Sequence, residues 1–272
     1  MLRRLRVAKF ERERRLYPRR VVQHRFGPHE LRVLIGSPYA ERYDFDWPDI
    51  AELALLRRGA LRPGARVFDL GASCGVIAMM LAKTVGPDGQ VIAVEAHPDD
   101  AELARQNRDL NGLDKLEVVH AAVARTSGTV VFGANGSVDD GSRRWGELEV
   151  ASWSIDDLAA TYGRPDVVFM DVEGYELEAL RGAPATLQDG PDWFVEVHGG
   201  DQLRRYAGSV DAVLEQFDRD HYELHVALDG LGPGPGGTVV CETRFEPLER
   251  TRLALSERRF FLVALRRSRA PE

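Results

Sequence analysis

Val67-Phe68-Asp69-Leu70-Gly71-Ala72-Ser73-Cys74-Gly75 is the stretch on which the reading of this 272-residue chain turns. Val67 to Leu70 has the length and apolar content of a buried strand, and Gly71 to Gly75 is a glycine-rich turn. Val76 to Val85 continues as a helix, stopped by Gly86-Pro87-Asp88-Gly89. A strand, a glycine turn and a helix in that order predict an α/β nucleotide-type site. Working downstream, Gln90 to Val94 reads as a second strand ending in Glu95. Pro98-Asp99-Asp100 then opens a helix, with proline in its first turn and acids complementing its dipole. That helix runs to Asn111-Gly112. Leu116 to His120 and Thr129 to Phe132 read as strands, and glycine-rich 133–146 as a surface loop or hairpin.

Ile155 to Tyr162 reads as a helix, Asp166 to Met170 as a buried strand ending in Asp171, and Glu176 to Arg181 as the start of the next helix. Trp193 to Val197 reads as a strand ending near His198, and Asp201 to Phe217 as one helix. Tyr222 to Ala227 and Arg259 to Leu265 are late strands around the glycine- and proline-rich run 230–237. Upstream, Asp49 to Leu61 has helical spacing, ended by Pro63-Gly64. Alternating strands and helices predict a mostly parallel sheet with helices on both faces, and such sheets bind ligands at the carboxyl ends of their strands. Asp69, Glu95, Asp171 and His198 all fall at such ends.

Three ligands compete for the turn. A phosphate loop needs Gly-Lys-Ser/Thr, but Gly75 is followed by Val76. A dinucleotide turn needs G-x-G-x-x-G, and of Gly71, Ser73 and Val76 only the first matches. The acid at Asp69 would repel a pyrophosphate. It suits a ligand with a cationic group nearby, such as the ammonium of S-adenosylmethionine. Glu95, twenty residues beyond Gly75, is placed to accept hydrogen bonds from ribose hydroxyls.

Composition is that of a soluble globular chain: 44% apolar and 29% charged residues, with no run of eighteen apolar residues. Two cysteines, Cys74 and Cys241, are too few for a disulfide framework or a cysteine-rich zinc site. The basic start lacks the apolar stretch of a secretory signal, so a cytoplasmic enzyme is expected. Residues 1–25 carry nine Arg and Lys9 against Glu11 and Glu13, in a chain of net charge −7. We read this arm as an Arg-rich solvated helix docking on the acidic body or on a second subunit, rather than as a nucleic-acid arm. The expected division is 1–62, a basic, helical and lid-like extension, and 63–272, the cofactor-binding domain.

VFDLGASCG (67–75), VIAVEAHP (91–98), LNGL (110–113), HAAVA (120–124), SIDDL (154–158), FMDVEGYELEALRGA (169–183) and FVEVH (194–198) occur in an order that resembles the FkbM-type methyltransferases, chiefly O-methyltransferases. The likeness covers about Val67 to Gly199 and weakens onward to Leu265. DVEGYE (171–176) is its most specific piece. The family usually has Asn-Ile at Ser73-Cys74 and Asn-Pro at His97-Pro98. The resemblance implies a Rossmann-like class I methyltransferase fold with a mostly parallel seven-stranded sheet. It also implies S-adenosylmethionine as cofactor and S-adenosylhomocysteine as product. It places Asp69, Gly71, Ala72, Ser73 and Gly75 at the methionine end, Glu95 at the ribose, Ala121 and Ala122 near adenine, and Asp171 and Glu173 where the methyl leaves.

Asp171, Glu173 and His198 are the candidate bases for a hydroxyl acceptor, His198 for its ordinary pKa near neutrality. Asp171, Glu173, Glu196 and His198 also offer hard ligands to a divalent metal, although the spacings match no metal motif. The expected acceptor is a small molecule: a natural product, a sugar or a lipid-like compound. Tyr39–Trp47, Gly133–Trp145 and Leu228–Thr238 are the candidate acceptor segments, with Tyr43, Phe45, Trp47 and Trp145 as lid residues. The alternatives are a nucleic-acid methyltransferase and a non-catalytic cofactor-binding scaffold. The chain lacks the Asn/Asp-Pro-Pro-Tyr/Phe segment of flipped-base amino chemistry.

Overall fold

The computed structural model describes residues 16–132, 148–228, 243–250 and 259–267. Its strands are β1 (Arg20–Phe26), β2 (His29–Ile35), β3 (Arg66–Leu70), β4 (Gln90–Glu95), β5 (Leu116–His120), β6 (Ala122–Val123), β7 (Gly128–Phe132), β8 (Leu148–Trp153), β9 (Val167–Met170), β10 (Asp192–Val197), β11 (Tyr222–Leu228), β12 (Glu246–Pro247) and β13 (Phe260–Arg266). The helices are α1 (Ala51–Leu56), α2 (Val76–Val85), α3 (Pro98–Leu110), α4 (Ile155–Tyr162), α5 (Glu176–Arg181), α6 (Pro184–Asp189), α7 (Asp201–Arg205) and α8 (Val210–Leu214).

The main sheet has the order β12-β11-β13-β10-β9-β3-β4-β5. β5, β4, β3, β9 and β10 are mutually parallel, and β13 runs against both β10 and β11. This is the mostly parallel α/β sheet expected, its seven long strands extended by the two-residue β12. From β3 the chain builds outward through β4 and β5, then returns to lay β9 on the other side of β3. The β3–β9 boundary is therefore the topological switch point, where a crevice opens beyond the carboxyl ends.

Strand alternation splits the core into two layers. Val67, Ala93, Phe169 and Phe194 pack on one face with α2 and α3, while Phe68, Leu70, Val168, Met170 and Trp193 pack on the other with α4 and α5. Both faces are covered, so the strands read as apolar runs rather than alternating ones.

Three expectations are corrected. The N-terminal extension is not helical throughout: Arg20–Ile35 is a β-hairpin turning at Gly27 and Pro28. Leu31, Val33 and Ile35 alternate inward while Glu30 and Arg32 between them are exposed, a period of two. The open edge of β2 is closed by α3, where Asn107 Oδ1 accepts from Leu34 N (2.6 Å) and Asn111 Oδ1 from Arg32 N (3.0 Å). Second, β7 leaves the main sheet for a three-stranded one with β6 and β8, and β8 was not anticipated. Third, the helix expected over 201–217 is two helices. Ala207 takes a positive φ of 55°, and Ser209 caps α8 by accepting from Ala212 N. Residues 1–15, the whole Gly133–Trp145 segment, all of the Leu228–Thr238 segment beyond Leu228, and Cys241 lie outside the described residues.

Candidate active site

Register builds the site. Leu70 pairs with Val94 on one side and Met170 on the other, so the next residues, Gly71, Glu95 and Asp171, emerge side by side at the switch point. The turn is pinned to the end of β4 by three successive amides. Gly71 N and Ala72 N donate to Val94 O at 2.9 and 3.0 Å, and Ser73 N donates to Glu95 Oε2 at 2.7 Å. Glu95 Oε1 accepts from His97 N at 2.6 Å. Its carboxylate is thus fixed by backbone before any ligand arrives, with lone pairs left over.

Gly71 and Gly75 are both required by protein neighbours. Gly71 sits at φ +91°, where a Cβ would lie 1.8 Å from Asp171 O. Gly75, at φ +84°, lies under α3, and its Cβ would meet Ala104 Cβ at 3.0 Å.

Asp69 is buried, and its Oδ2 has no hydrogen-bond partner among the described residues. Burial first, and the Glu95 charge second, push its carboxyl up to about 7. A buried acid with an orphaned oxygen beside a glycine turn is what a cationic ligand group would satisfy. Ala121, whose amide donates to Glu95 O at 3.0 Å, and Ala122, which pairs with Ser152, lie buried beyond β5. The adenine-side position expected of them sits on the same rim.

Beyond β9 and β10 the structure gathers an acidic cluster. His198 is 3% exposed, and its Nδ1 lies 2.8 Å from Oε1 of the fully buried Glu176. Its Nε2 faces Glu173 Oε2 (3.5 Å), Glu196 Oε1 (3.7 Å) and Asp171 Oδ1 (3.9 Å). Burial lowers the imidazole's pKa, but the hydrogen bond to Glu176 and the surrounding carboxylates overcome it and raise it to about 9. In this state the ring is a cation at neutral pH, whereas the sequence reading rested on its ordinary value. Asp171 keeps 37% exposure although its Oδ1 is enclosed. Burial and then Glu196 raise its pKa well above the usual carboxylate range, with His198 opposing. Glu173, 45% exposed, holds a left-handed φ of 53°, a strained position for a residue with a Cβ.

Two residues carry parts of this cluster that the sequence did not assign to them. Glu176 accepts from Gly174 N and orients His198; its clue was its place in DVEGYE. Glu52 on α1 is raised to about 7 by burial, with Glu196 adding to the shift, and no local pattern marks it. Of the four aromatic residues expected to form a lid, Trp145 lies outside the described residues and the other three pack together. Tyr43 is buried and packs with Phe26 and Trp47, and Trp47 stacks on Phe45, so these three hold the N-terminal segment together. Tyr39 instead stays 47% exposed, with the Arg42 guanidinium 3.4 Å above its ring. Burial first, with Asp171 and Glu173 adding to the shift, raises its hydroxyl to about 12.

The methyltransferase FkbM domain family matches residues 69–223. Among curated relatives, a protein-L-isoaspartate O-methyltransferase of Methanopyrus kandleri is 44% identical over 55 residues, 20% of this chain and 24% of that protein. The hexuronic acid methyltransferase AglP of Haloferax volcanii is 27% identical over 139 residues, 49% of this chain and 56% of that protein. The match therefore spans less than two thirds of either relative. Among solved structures, a methyltransferase FkbM from Methylobacillus flagellatus KT aligns with 73% of this chain and 43% of that one, at 15% identity and a TM-score of 0.45.

Proposed function

The chain belongs to the methyltransferase FkbM domain family, and on that premise we propose that it moves the methyl group of S-adenosylmethionine to a hydroxyl of a small, sugar-like acceptor. The observation that carries this reading is the orphaned Asp69 Oδ2 at the entry of the glycine turn. A buried carboxyl oxygen without a donor fits the cofactor's ammonium and is unsuited to a pyrophosphate. In this reading Gly71, Ala72, Ser73 and Gly75 shape the wall of the cofactor site, Glu95 takes the ribose hydroxyls, and Ala121 and Ala122 border adenine. When bound, S-adenosylmethionine supplies a methyl group on a cationic sulfur and becomes S-adenosylhomocysteine.

The chain's own work is alignment and proton removal. Asp171, beside Gly71 at the switch point, orients the acceptor hydroxyl and receives its proton as the new carbon–oxygen bond forms. Glu173 borders the same opening. His198 and Glu176 hold these acids in place from behind. Tyr39 and Arg42 offer an aromatic face and a cation beside them, which suits a sugar ring bearing a carboxylate. One relative, AglP, is named for a hexuronic acid, a sugar that bears a carboxylate.

The test is calorimetric titration with S-adenosylmethionine and S-adenosylhomocysteine, wild type against Glu95→Ala, followed by labelled-methyl transfer to a panel of hexuronic acids and neutral sugars. Binding weakened about tenfold or more in the variant is expected, since charged hydrogen bonds contribute about 1.5–3 kcal/mol. Binding of NAD in place of the sulfonium ligand would overturn the reading.

A further inference from the structure

We propose that Asp171, Glu196 and His198, with Glu173 as a fourth donor, form a binding site for one divalent transition-metal ion. His198 Nε2, Asp171 and Glu196 each present a donor atom, and these atoms lie within 4.8 Å of one another. The imidazole is the organising element. It is 3% exposed and its Nδ1 is engaged by Glu176, so the remaining ring nitrogen points into the carboxylates. The distances from Nε2 to Glu173, Glu196 and Asp171, 3.5, 3.7 and 3.9 Å, exceed the 2.7–3.2 Å of an N–H···O hydrogen bond. They match the spacing of donors around a shared ion, about 3 Å for neighbours and about 4 Å across it at metal–ligand bonds near 2.1 Å.

Two further observations point to a ligand. Asp171 Oδ1 is enclosed at this focus and has no hydrogen-bond partner among the described residues. Behind it, Glu176 is fully buried and holds His198 by one ring nitrogen, the carboxylate–imidazole arrangement that fixes the tautomer of a metal-bound histidine. Four carboxylates, those of Asp171, Glu173, Glu176 and Glu196, surround the one ring, and Arg259 lies 2.8 Å from Glu196 Oε1. One nitrogen and several carboxylate oxygens suit Mn2+, Fe2+ or Zn2+ better than Ca2+.

An ion here stands beside the turn that borders the cofactor site. Its use, holding an acceptor oxygen against Asp171, rests on the methyl-transfer reading, whereas the site itself does not. The probe is Mn2+, titrated into the full chain after chelator treatment and followed by calorimetry and by electron paramagnetic resonance. One ion per chain is expected, with nitrogen hyperfine modulation that disappears in His198→Gln. Glu196→Gln and Glu176→Gln should weaken binding roughly 10–100-fold. Thermal melting and S-adenosylhomocysteine binding of each variant identify any that fail to fold, and Glu196→Gln, at a position we assign no cofactor contact, carries the test if His198→Gln does. The absence of saturable binding, or binding that both glutamine variants of the acids leave unchanged, overturns the site. S-Adenosylhomocysteine binding without Mn2+ binding removes the metal and keeps the methyltransferase reading. Mn2+ binding without cofactor binding does the reverse.

Discussion

Replacing Asp69 by Asn should make the ligand-free protein more stable at pH 8 while destroying its affinity for S-adenosylmethionine. The reasoning starts from burial. Asp69 is 2% exposed, has an orphaned Oδ2 and lies near Glu95, so its folded pKa stands at about 7 against 3.8 in the unfolded chain. Below about pH 4 both states hold the proton and the residue costs nothing. Between pH 4 and 7 the unfolded chain ionises while the folded one does not, so stability falls with rising pH and levels off above 7. Each unit of difference is worth about 1.4 kcal/mol, which gives a cost of up to about 4 kcal/mol at pH 8. Asparagine keeps the shape and carries no charge. Urea denaturation of wild type and Asp69→Asn at pH 4.5, 6, 7 and 8 should therefore give curves that converge in acid and separate by several kcal/mol in base. Calorimetry in buffers of different ionisation enthalpy should show proton release as the wild type binds S-adenosylmethionine near pH 6.5. A stability difference independent of pH, or an Asn variant that binds the cofactor normally, would refute the argument that this carboxyl is held ready for a cation.

Gly71→Ala should cost at least about 2 kcal/mol in denaturant melts and loosen the cofactor turn, because its φ is +91° and the new Cβ would sit 1.8 Å from Asp171 O. Asp171→Asn should lower methyl transfer by roughly 10²–10⁴-fold while keeping the folded circular-dichroism spectrum; a fully active variant removes Asp171 from the reacting groups. Asp192→Ala should destabilise by about 2–4 kcal/mol without altering cofactor affinity, since Asp192 accepts from Ala60 N at 2.6 Å and Arg266 N at 2.7 Å, far from the crevice. A calorimetric change in cofactor affinity in that variant would show the two regions to be coupled.

The reversed strand order at β3 and β9 explains why so few residues were needed to locate the site. Only the two strands flanking the switch point, and their neighbours, present loops to one crevice. Each of those loops begins at the residue where an apolar run stops: Gly71, Glu95, Asp171 and His198. An acid at such a boundary is legible because a buried strand tolerates it only at its end.

What the sequence determined by itself was therefore local and periodic. It specified the strand, turn and helix from Val67 to Val85, the alternation that makes the sheet parallel, and the acids at strand ends. Tertiary structure decided the rest. The Arg20–Ile35 hairpin was hidden because polar residues interrupt its short inward period of two, and Asn107 on α3 and Asn111 at its C-terminal cap, more than seventy residues away, close its edge. The reason for Gly71 was likewise invisible, since the atom that forbids a Cβ belongs to Asp171, a hundred residues on. Glu52 and Glu176 read singly as ordinary polar residues, and nothing local ties them to Glu196 or His198. The raised pKa values of Glu52 and His198, and the gathering of the acids around that ring, come from burial and mutual distance, which exist only once α1, α5 and β10 have packed around one point.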